Sequence, residues 1–238
     1  MTNKIALVTG SSRGIGAGIV RSLAGLMDGV AVHYLVDRDS AEQTADTIRA
    51  IGKKSRAFQA DLSKENEAFS LVSSVEQEWG RLDVLVNNLG PILVKSWKKV
   101  KISDWENIWR KNFMSSFFCM KAALPGMRRR KWGRIVNIGY SRVEQLTAFP
   151  GILPYAAAKV SLLLLTRTAA ETEGKAGVTV NMVSPGLIEK GIFPDNRNIP
   201  LGRPGTYKDV SSAVRFLVSE EAGYITGANL IVAGGWKL

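Results

Sequence analysis

Apolar residues come in short, nearly uninterrupted runs, separated by longer stretches in which they recur at helical spacing. The runs are Lys4 to Thr9, Val30 to Leu35, Arg56 to Ala60, Leu82 to Val86, Arg134 to Ile138, Val178 to Val183 and Asn229 to Val232. Their length and β-branched character predict seven strands. The intervening segments, among them Ile15 to Met27 and Trp105 to Arg130, predict about six helices. Within the strands the apolar residues are continuous rather than alternating, the pattern of a parallel sheet covered by helices on both faces. We therefore expect one doubly wound α/β domain over residues 1–238, since no internal repeat, low-complexity tract or long Pro/Gly/Ser linker divides the chain. The least regular segment, residues 187–205, holds three prolines and three glycines and is expected to be a mobile loop near a ligand.

Composition narrows the picture without changing it. With 45% apolar and 22% charged residues the chain is neither disordered, collagen-like nor disulfide-stapled. Its one cysteine, Cys119, cannot form an internal bridge, so a reducing cytoplasm is the expected compartment. The run Ile5 to Val8 is too short for a signal segment and no 18-residue apolar run occurs, so a soluble protein without a membrane partner is expected. The net charge of +11 favours anionic partners: phosphorylated cofactors, acidic carrier proteins or nucleic acid. The dense basic clusters, Lys98-Lys99 with Lys101 and Arg128 to Lys131, have Trp97 and Trp132 beside them but lack the interleaved aromatics of a stacking groove. Nucleic acid is accordingly not expected, and no metal is invoked.

The candidate chemistry clusters where strands end. The first strand runs into Thr9-Gly10-Ser11-Ser12-Arg13-Gly14-Ile15-Gly16, three glycines at a sharp strand-to-helix turn. Free N–H groups and the positive end of the helix starting near Gly14 would receive a pyrophosphate there. The second strand ends at His33-Tyr34 without the acidic residue that holds a ribose 2′-hydroxyl, whereas Arg13 and Arg38 could flank a 2′-phosphate. NADP(H) is thus favoured over NAD, although Asp37 and Asp39 leave a ribose ligand open. Asp61-Leu62 and Asn87-Asn88-Leu89-Gly90 follow the third and fourth strands, at the sheet edge where ligands bind. Tyr155 and Lys159 stand four residues apart on one helix face, where a cation would lower the phenol pKa. Ser141 lies 14 residues before Tyr155, and Asn112 adds a polar group to the preceding helix.

Taken in order, Thr9-Gly10-x3-Gly14-x-Gly16, Asp61, Asn87-Asn88-x-Gly90, Asn112, Ser141, Tyr155-x3-Lys159 and Asn181-x2-Ser184-Pro185-Gly186 resemble the short-chain dehydrogenase/reductase family. The tail, Ile199 to Gly205 and Ile225-Thr226-Gly227 with Gly234-Gly235, is similar to the bacterial 3-oxoacyl-[acyl-carrier-protein] reductase branch. The resemblance implies a single-domain Rossmann fold with strand order 3-2-1-4-5-6-7. It also implies an NADP(H)-dependent oxidoreductase interconverting a carbonyl and a secondary alcohol, with a small-molecule or acyl-thioester substrate, assembled as a homotetramer. Tyr155 would move the proton, Lys159 would lower its pKa and hold the nicotinamide ribose, Ser141 would polarise the carbonyl, and Asn112 would support a relay water. Gly10, Ser12, Arg13, Gly14, Ile15, Gly16, Arg38, Asp61, Leu62, Asn88, Gly90, Tyr155, Lys159, Pro185, Gly186 and Ile188 would hold the cofactor. Alternatives are reduction of another small carbonyl or pterin-like substrate, and a non-catalytic dinucleotide-binding regulator. Three positions depart from the family pattern: Leu89 stands where alanine is usual, Ile188-Glu189-Lys190 replaces the usual threonine, and the segment Tyr140-Ser141 is shifted. Counting from the strand puts Tyr140 at the serine position; counting back from Tyr155 favours Ser141.

Overall fold

The computed structural model describes residues 3–189, 191 and 198–237. Part of the expected loop 187–205, including Lys190, lies outside them. The seven strands are β1 (Ile5–Val8), β2 (Gly29–Tyr34), β3 (Lys54–Gln59), β4 (Val84–Asn87), β5 (Gly133–Ile138), β6 (Val178–Pro185) and β7 (Asn229–Val232). They form one parallel sheet in the order β3-β2-β1-β4-β5-β6-β7. Every parallel neighbour demands a crossover, which the helices supply.

Helices α1 (Gly14–Leu23), α2 (Arg38–Arg49) and α7 (Tyr207–Val218) cover one face, burying Ile19, Val20, Leu23, Ala45, Ile48, Val214 and Leu217 against β1 and β2. Helices α3 (Glu65–Trp79), α5 (Ser115–Arg130) and α6 (Leu153–Glu173) cover the other, around Leu71, Val75, Met120, Met127 and Ala169. Cys119 sits in this second core, where burial pushes its thiol up to about 12 and leaves it inert. The strands β1, β2, β4, β5 and β6 are buried throughout, as their continuous apolar runs predict. The outermost strands β3 and β7 are partly exposed, because an edge strand has one neighbour only.

The long helix expected over residues 105–130 starts earlier and is not uniform. It comprises α4 (Ile102–Trp109), a single π-helical turn, Arg110–Met114, and α5. The extra residue in the π turn re-aims one side chain inward, and that side chain is Asn112. The first helix is shorter than Ile15 to Met27, ending at Leu23.

Candidate active site

Strand order reverses at β1, whose neighbours are β2 and β4, so the chain leaves the sheet in opposite directions on either side. A crevice opens there at the carboxyl ends of the strands. The turn after β1 makes its floor. Gly10 and Gly14 have φ of 59° and 61°, a conformation that side chains resist. Gly16 is held close beneath Asn88, whose Nδ2 would stand 2.7 Å from any Cβ there. The N-terminus of α1 has no side-chain cap, leaving the N–H groups of Gly14, Ile15 and Gly16 open to an anion. Thr9 Oγ1 accepts from the backbone N–H of Asn88 and Leu89 at 3.0 and 3.1 Å, and Asn88 Nδ2 donates to the carbonyls of Thr9 and Gly10 at 2.9 Å. These bonds lock the turn to the end of β4.

His33 completes the lock. Its Nδ1 accepts from Gly10 N–H at 2.8 Å while Nε2 lies 3.0 Å from the Ala60 carbonyl, which fixes the neutral ring with its proton on Nε2. Burial lowers its pKa to about 4. In the sequence His33 stands out only for the acid it replaces; its role in joining three strand ends is visible in no spacing.

Two cavities share this edge. The smaller, about 380 Å³, is lined by Gly10, His33, Asp61, Leu62, Asn88, Leu89, Gly90 and Lys111. Asp61 is engaged by Ser63, whose N–H and hydroxyl donate to it at 3.1 and 2.7 Å, and its carboxyl is held below the usual range by these bonds against the opposing cost of burial. Leu89 fills space that alanine would leave: a Cβ on Gly10 would lie 3.2 Å from Leu89 Cδ1. The larger cavity, about 620 Å³, is lined by Arg13, Gly14, Ile15, Gly16, Asn88, Gly90, Tyr140, Ser141, Tyr155, Lys159, Pro185, Gly186 and Ile188. Of the expected cofactor residues, Ser12 and Arg38 line neither cavity. Ser12 turns its carbonyl to the Thr44 hydroxyl at 2.9 Å, and Arg38 is exposed at the start of α2. Asp37 caps α2 by accepting from Ser40 N–H at 3.1 Å and stands 3.9 Å from Arg13.

At the other end of the larger cavity stand the groups with chemistry. Lys159 is buried, 2% exposed, and its Nζ donates to the Ile138 carbonyl at 2.7 Å. Burial lowers its pKa to about 7. Tyr155, one turn earlier, is pushed above the ordinary phenol range by burial and then by the nearness of Tyr140. The Lys159 ammonium is turned onto a backbone carbonyl, 5.8 Å from the phenol ring centre, and is itself poorly solvated. Asn112 Nδ2 donates to the carbonyls of Pro91 and Ile108, both at 3.0 Å, the second lying just before the π turn. Its Oδ1 is buried without a hydrogen-bond partner among the described residues, against Gly90, where any Cβ would collide with it and lie 3.2 Å from Lys159 Nζ. Only glycine at 90 keeps this corner open.

The loop from Ser141 to α6 and the chain's last residues form the remaining wall. Ser141 N–H donates to the Pro185 carbonyl at 2.9 Å, and Gln145 Nε2 to the Lys237 carbonyl at 2.6 Å. Trp236 and Lys237 line the same cavity as Phe149 and Ile152. Across its mouth Ile188 bridges to Gly205, and Leu201 N–H donates to the Gly234 carbonyl at 3.1 Å. The base of the 187–205 segment is thus stitched to the tail. Beneath the site a buried chain runs from Asn87 through Asn137 to Thr166, with bonds of 2.8 Å. Apart from Asn87 and Gly234-Gly235, the tail and this chain carry no motif.

Asp83, Arg81 and Arg130 mark the opposite edge of the sheet, and they explain the basic run 128–131. Arg130 stands 3.3 Å from Asp83, and Arg128 donates twice to Glu173 at 2.6 Å. Arg130 is thus an internal anchor, while Arg128 holds the buried Glu173 from a side chain that itself stays half exposed.

A doubly wound sheet with a glycine-rich anion turn and a Tyr-x3-Lys helix facing it defines a dinucleotide-dependent oxidoreductase. Comparison with known proteins agrees. A family described as Enoyl-(Acyl carrier protein) reductase matches residues 10–237. The 3-oxoacyl-[acyl-carrier-protein] reductase of Staphylococcus epidermidis is 36% identical, covering 98% of each chain. Among solved structures, acetoin dehydrogenase from Enterobacter cloacae superposes with a TM-score of 0.92 at 33% identity, covering 99% of this chain and 96% of that one. A blue fluorescent protein from a metagenomic library, solved in complex with NADPH, gives 0.91 at 33% identity with complete coverage of both chains. The chain belongs to the short-chain dehydrogenase/reductase family and is an oxidoreductase acting between CH–OH and C=O.

Proposed function

We propose that the protein is an NADPH-dependent carbonyl reductase whose substrate is a 3-oxoacyl thioester. The observation that carries the reading is one cavity with an uncapped helix N-terminus at one end and Tyr155, Lys159 and the Asn112–Gly90 corner at the other. The groups present fit such a cofactor. The N–H groups of Gly14, Ile15 and Gly16 suit its pyrophosphate, Asp61 and Leu62 its adenine, Arg13 its 2′-phosphate, and Lys159 its nicotinamide ribose. Asn88, Gly90, Pro185, Gly186 and Ile188 wall the space between. When bound, the reduced nicotinamide supplies the hydride that adds to the carbonyl carbon.

The chain's own residues supply everything else. A proton must reach the substrate oxygen as negative charge gathers there, and Tyr155 is the acid that faces the cavity. Its high pKa keeps it protonated at neutral pH, the form that reduction requires. The polarising hydroxyl comes from the Tyr140–Ser141 pair, both lining the cavity. Lys159 holds a proton near the Asn112 carboxamide oxygen, whose free lone pairs suit a water passing that proton onward.

The assembly reading is a homotetramer with closed symmetry in the cytoplasm. Apolar side chains on α4 and α6 support it, with Ile102 81% and Leu164 68% exposed. Light scattering should give four times the 25.9 kDa of one chain. The activity is tested by loss of NADPH absorbance over a panel of 3-oxoacyl thioesters and diketones. Tyr155→Phe should abolish turnover while leaving NADPH affinity within about threefold. Turnover of diketones alone would move the substrate toward that of the acetoin dehydrogenase neighbour, and undiminished turnover by Tyr155→Phe would refute the mechanism.

A further inference from the structure

We propose that Tyr140, rather than Ser141, supplies the hydroxyl that polarises the substrate carbonyl, so that two tyrosines flank the reacting oxygen. The inference rests on the reductase reading and adds the identity of its second hydroxyl.

Strand geometry gives the first argument. β5 ends at Ile138, and Gly139 N–H still donates to Val183 at 2.8 Å. Gly139 has no room for a side chain, since a Cβ would lie 2.6 Å from both Met182 Sδ and Ser184 Oγ. Tyr140 is thus the first residue after β5 able to carry a side chain off the sheet edge. It lines the cavity that holds Tyr155 and Lys159.

Ring packing gives the second. The Tyr140 ring centre is 5.6 Å from that of Tyr155 and 5.8 Å from that of Phe149, with which it packs edge to face. The ring is clamped between the proton donor and the loop that walls the site. Charge on one phenol disfavours charge on the other, which places the two side chains within electrostatic reach.

The third argument is an unmet bond. Tyr140 Oη is buried with no hydrogen-bond partner among the described residues. Buried hydroxyls rarely stay unpaired, and those that do demand a reason. A carbonyl oxygen arriving beside Tyr155 supplies the missing acceptor. Burial raises this phenol to about 12, while the Arg142 guanidinium, 4.8 Å over the Phe149 ring, opposes the rise; the group stays protonated and able to donate. Ser141 also lines the cavity, and its backbone N–H ties the loop to Pro185, so substitution of each hydroxyl decides between the two.

The step balances as follows. With reduced nicotinamide bound, its hydride would form the new C–H bond, the C=O π pair would move to oxygen, and that oxygen would take the Tyr155 proton. Tyr140 keeps its proton and donates a hydrogen bond to the same oxygen throughout.

Steady-state kinetics on the full chain, with NADPH and either acetoacetyl-CoA or 2,3-butanedione as probe, separate the roles. Tyr140→Phe keeps the ring and should lower kcat at least about 30-fold, with KM and NADPH affinity within about threefold, whereas Ser141→Ala should change kcat less than about threefold. Placing 3,5-difluorotyrosine at position 140 leaves the packing and should move the alkaline limb of the kcat profile to lower pH, an effect a structural ring would not produce. Loss on Ser141→Ala with Tyr140→Phe spared, both variants spared, both equally damaged, or an unmoved alkaline limb would each overturn the assignment. An inert Tyr155→Phe alongside an active Tyr140→Phe rejects this inference alone. An active Tyr155→Phe, or no NADPH consumption by the parent with any probe, rejects the reductase reading and this inference with it.

Discussion

Two fully buried charges, Asp83 at the amino-terminal edge of the sheet and Lys159 at the carboxyl-terminal edge, live under opposite rules. Asp83 is 0% exposed and saturated: Ile5 N–H donates to it at 2.9 Å, Arg81 at 2.7 and 2.9 Å, and Arg130 stands 3.3 Å away. Lys159 is as deeply buried, yet among the described residues it has no ion-pair partner and donates only to one backbone carbonyl. Asn112 Oδ1 and Tyr140 Oη have no hydrogen-bond partner among the described residues. A buried charge that is fully paired serves the fold, whereas one left short of partners is held against its own desolvation cost by surrounding structure. The contrast holds for these two charges: the carboxylate is held by several donors and the ammonium by one carbonyl.

The comparison breaks most sharply under substitution. Lys159→Met should lower kcat/KM by at least about 10³-fold, or about 4 kcal/mol of transition-state stabilisation, while leaving stability unchanged or raised. Asp83→Asn should do the reverse, costing about 3–5 kcal/mol by stranding two guanidinium groups, with activity per folded molecule preserved. Urea unfolding alongside kinetics reads both. An unfolded Lys159→Met, or a stable Asp83→Asn, would end the distinction.

A smaller effect follows from His33, which sits between the two regimes as a buried neutral ring with both nitrogens engaged. Its pKa is lowered to about 4 in the fold against 6.5 when unfolded. Between those values the unfolded chain binds a proton that the native chain refuses, so stability rises with pH across this window. The contribution is complete above 6.5 and lost as pH falls to about 4, an effect of about 3 kcal/mol. Urea midpoints from pH 4 to 7 should show this slope, and His33→Asn should flatten it. A parent midpoint independent of pH across that range would show that the ring is not held neutral.

These contrasts also separate what the sequence made legible. Continuous apolar runs gave away the covered parallel sheet because burial on both faces admits little else. The glycine turn and Tyr-x3-Lys were readable because backbone conformation and helix geometry restrict them to few residue types at fixed spacing. The π turn was not, since one extra residue per turn leaves the apolar period almost intact; only the inward position of Asn112 hints at it. Nor was the tie from Gln145 to the cavity-lining Trp236-Lys237 segment, which joins residues far apart in the chain through a backbone carbonyl that carries no side-chain signature. The Tyr140–Ser141 ambiguity has a similar origin: spacing to Tyr155 counts loop residues, while the strand end fixes position in space.

The smallest predicted effect refines that same boundary between legible spacing and folded position. The missing acid after β2 predicts NADPH over NADH, with Arg38 and Arg13 as the cations. Asp37, however, is occupied as a helix cap and lies 3.9 Å from Arg13, while Arg38 points from the exposed start of α2 and lines neither cavity. A 2′-phosphate entering beside Asp37 would meet Arg13 first, and one charge-assisted contact is enough for about tenfold discrimination. Fluorescence titration should show NADPH binding at least about tenfold more tightly than NADH in the parent. Arg13→Ala should bring the two affinities within about threefold, and Arg38→Ala should keep most of the gap. Equal loss in both variants would mean that Arg38 swings into the site on binding, and equal affinities in the parent would show that the absent acid carries no information about the cofactor.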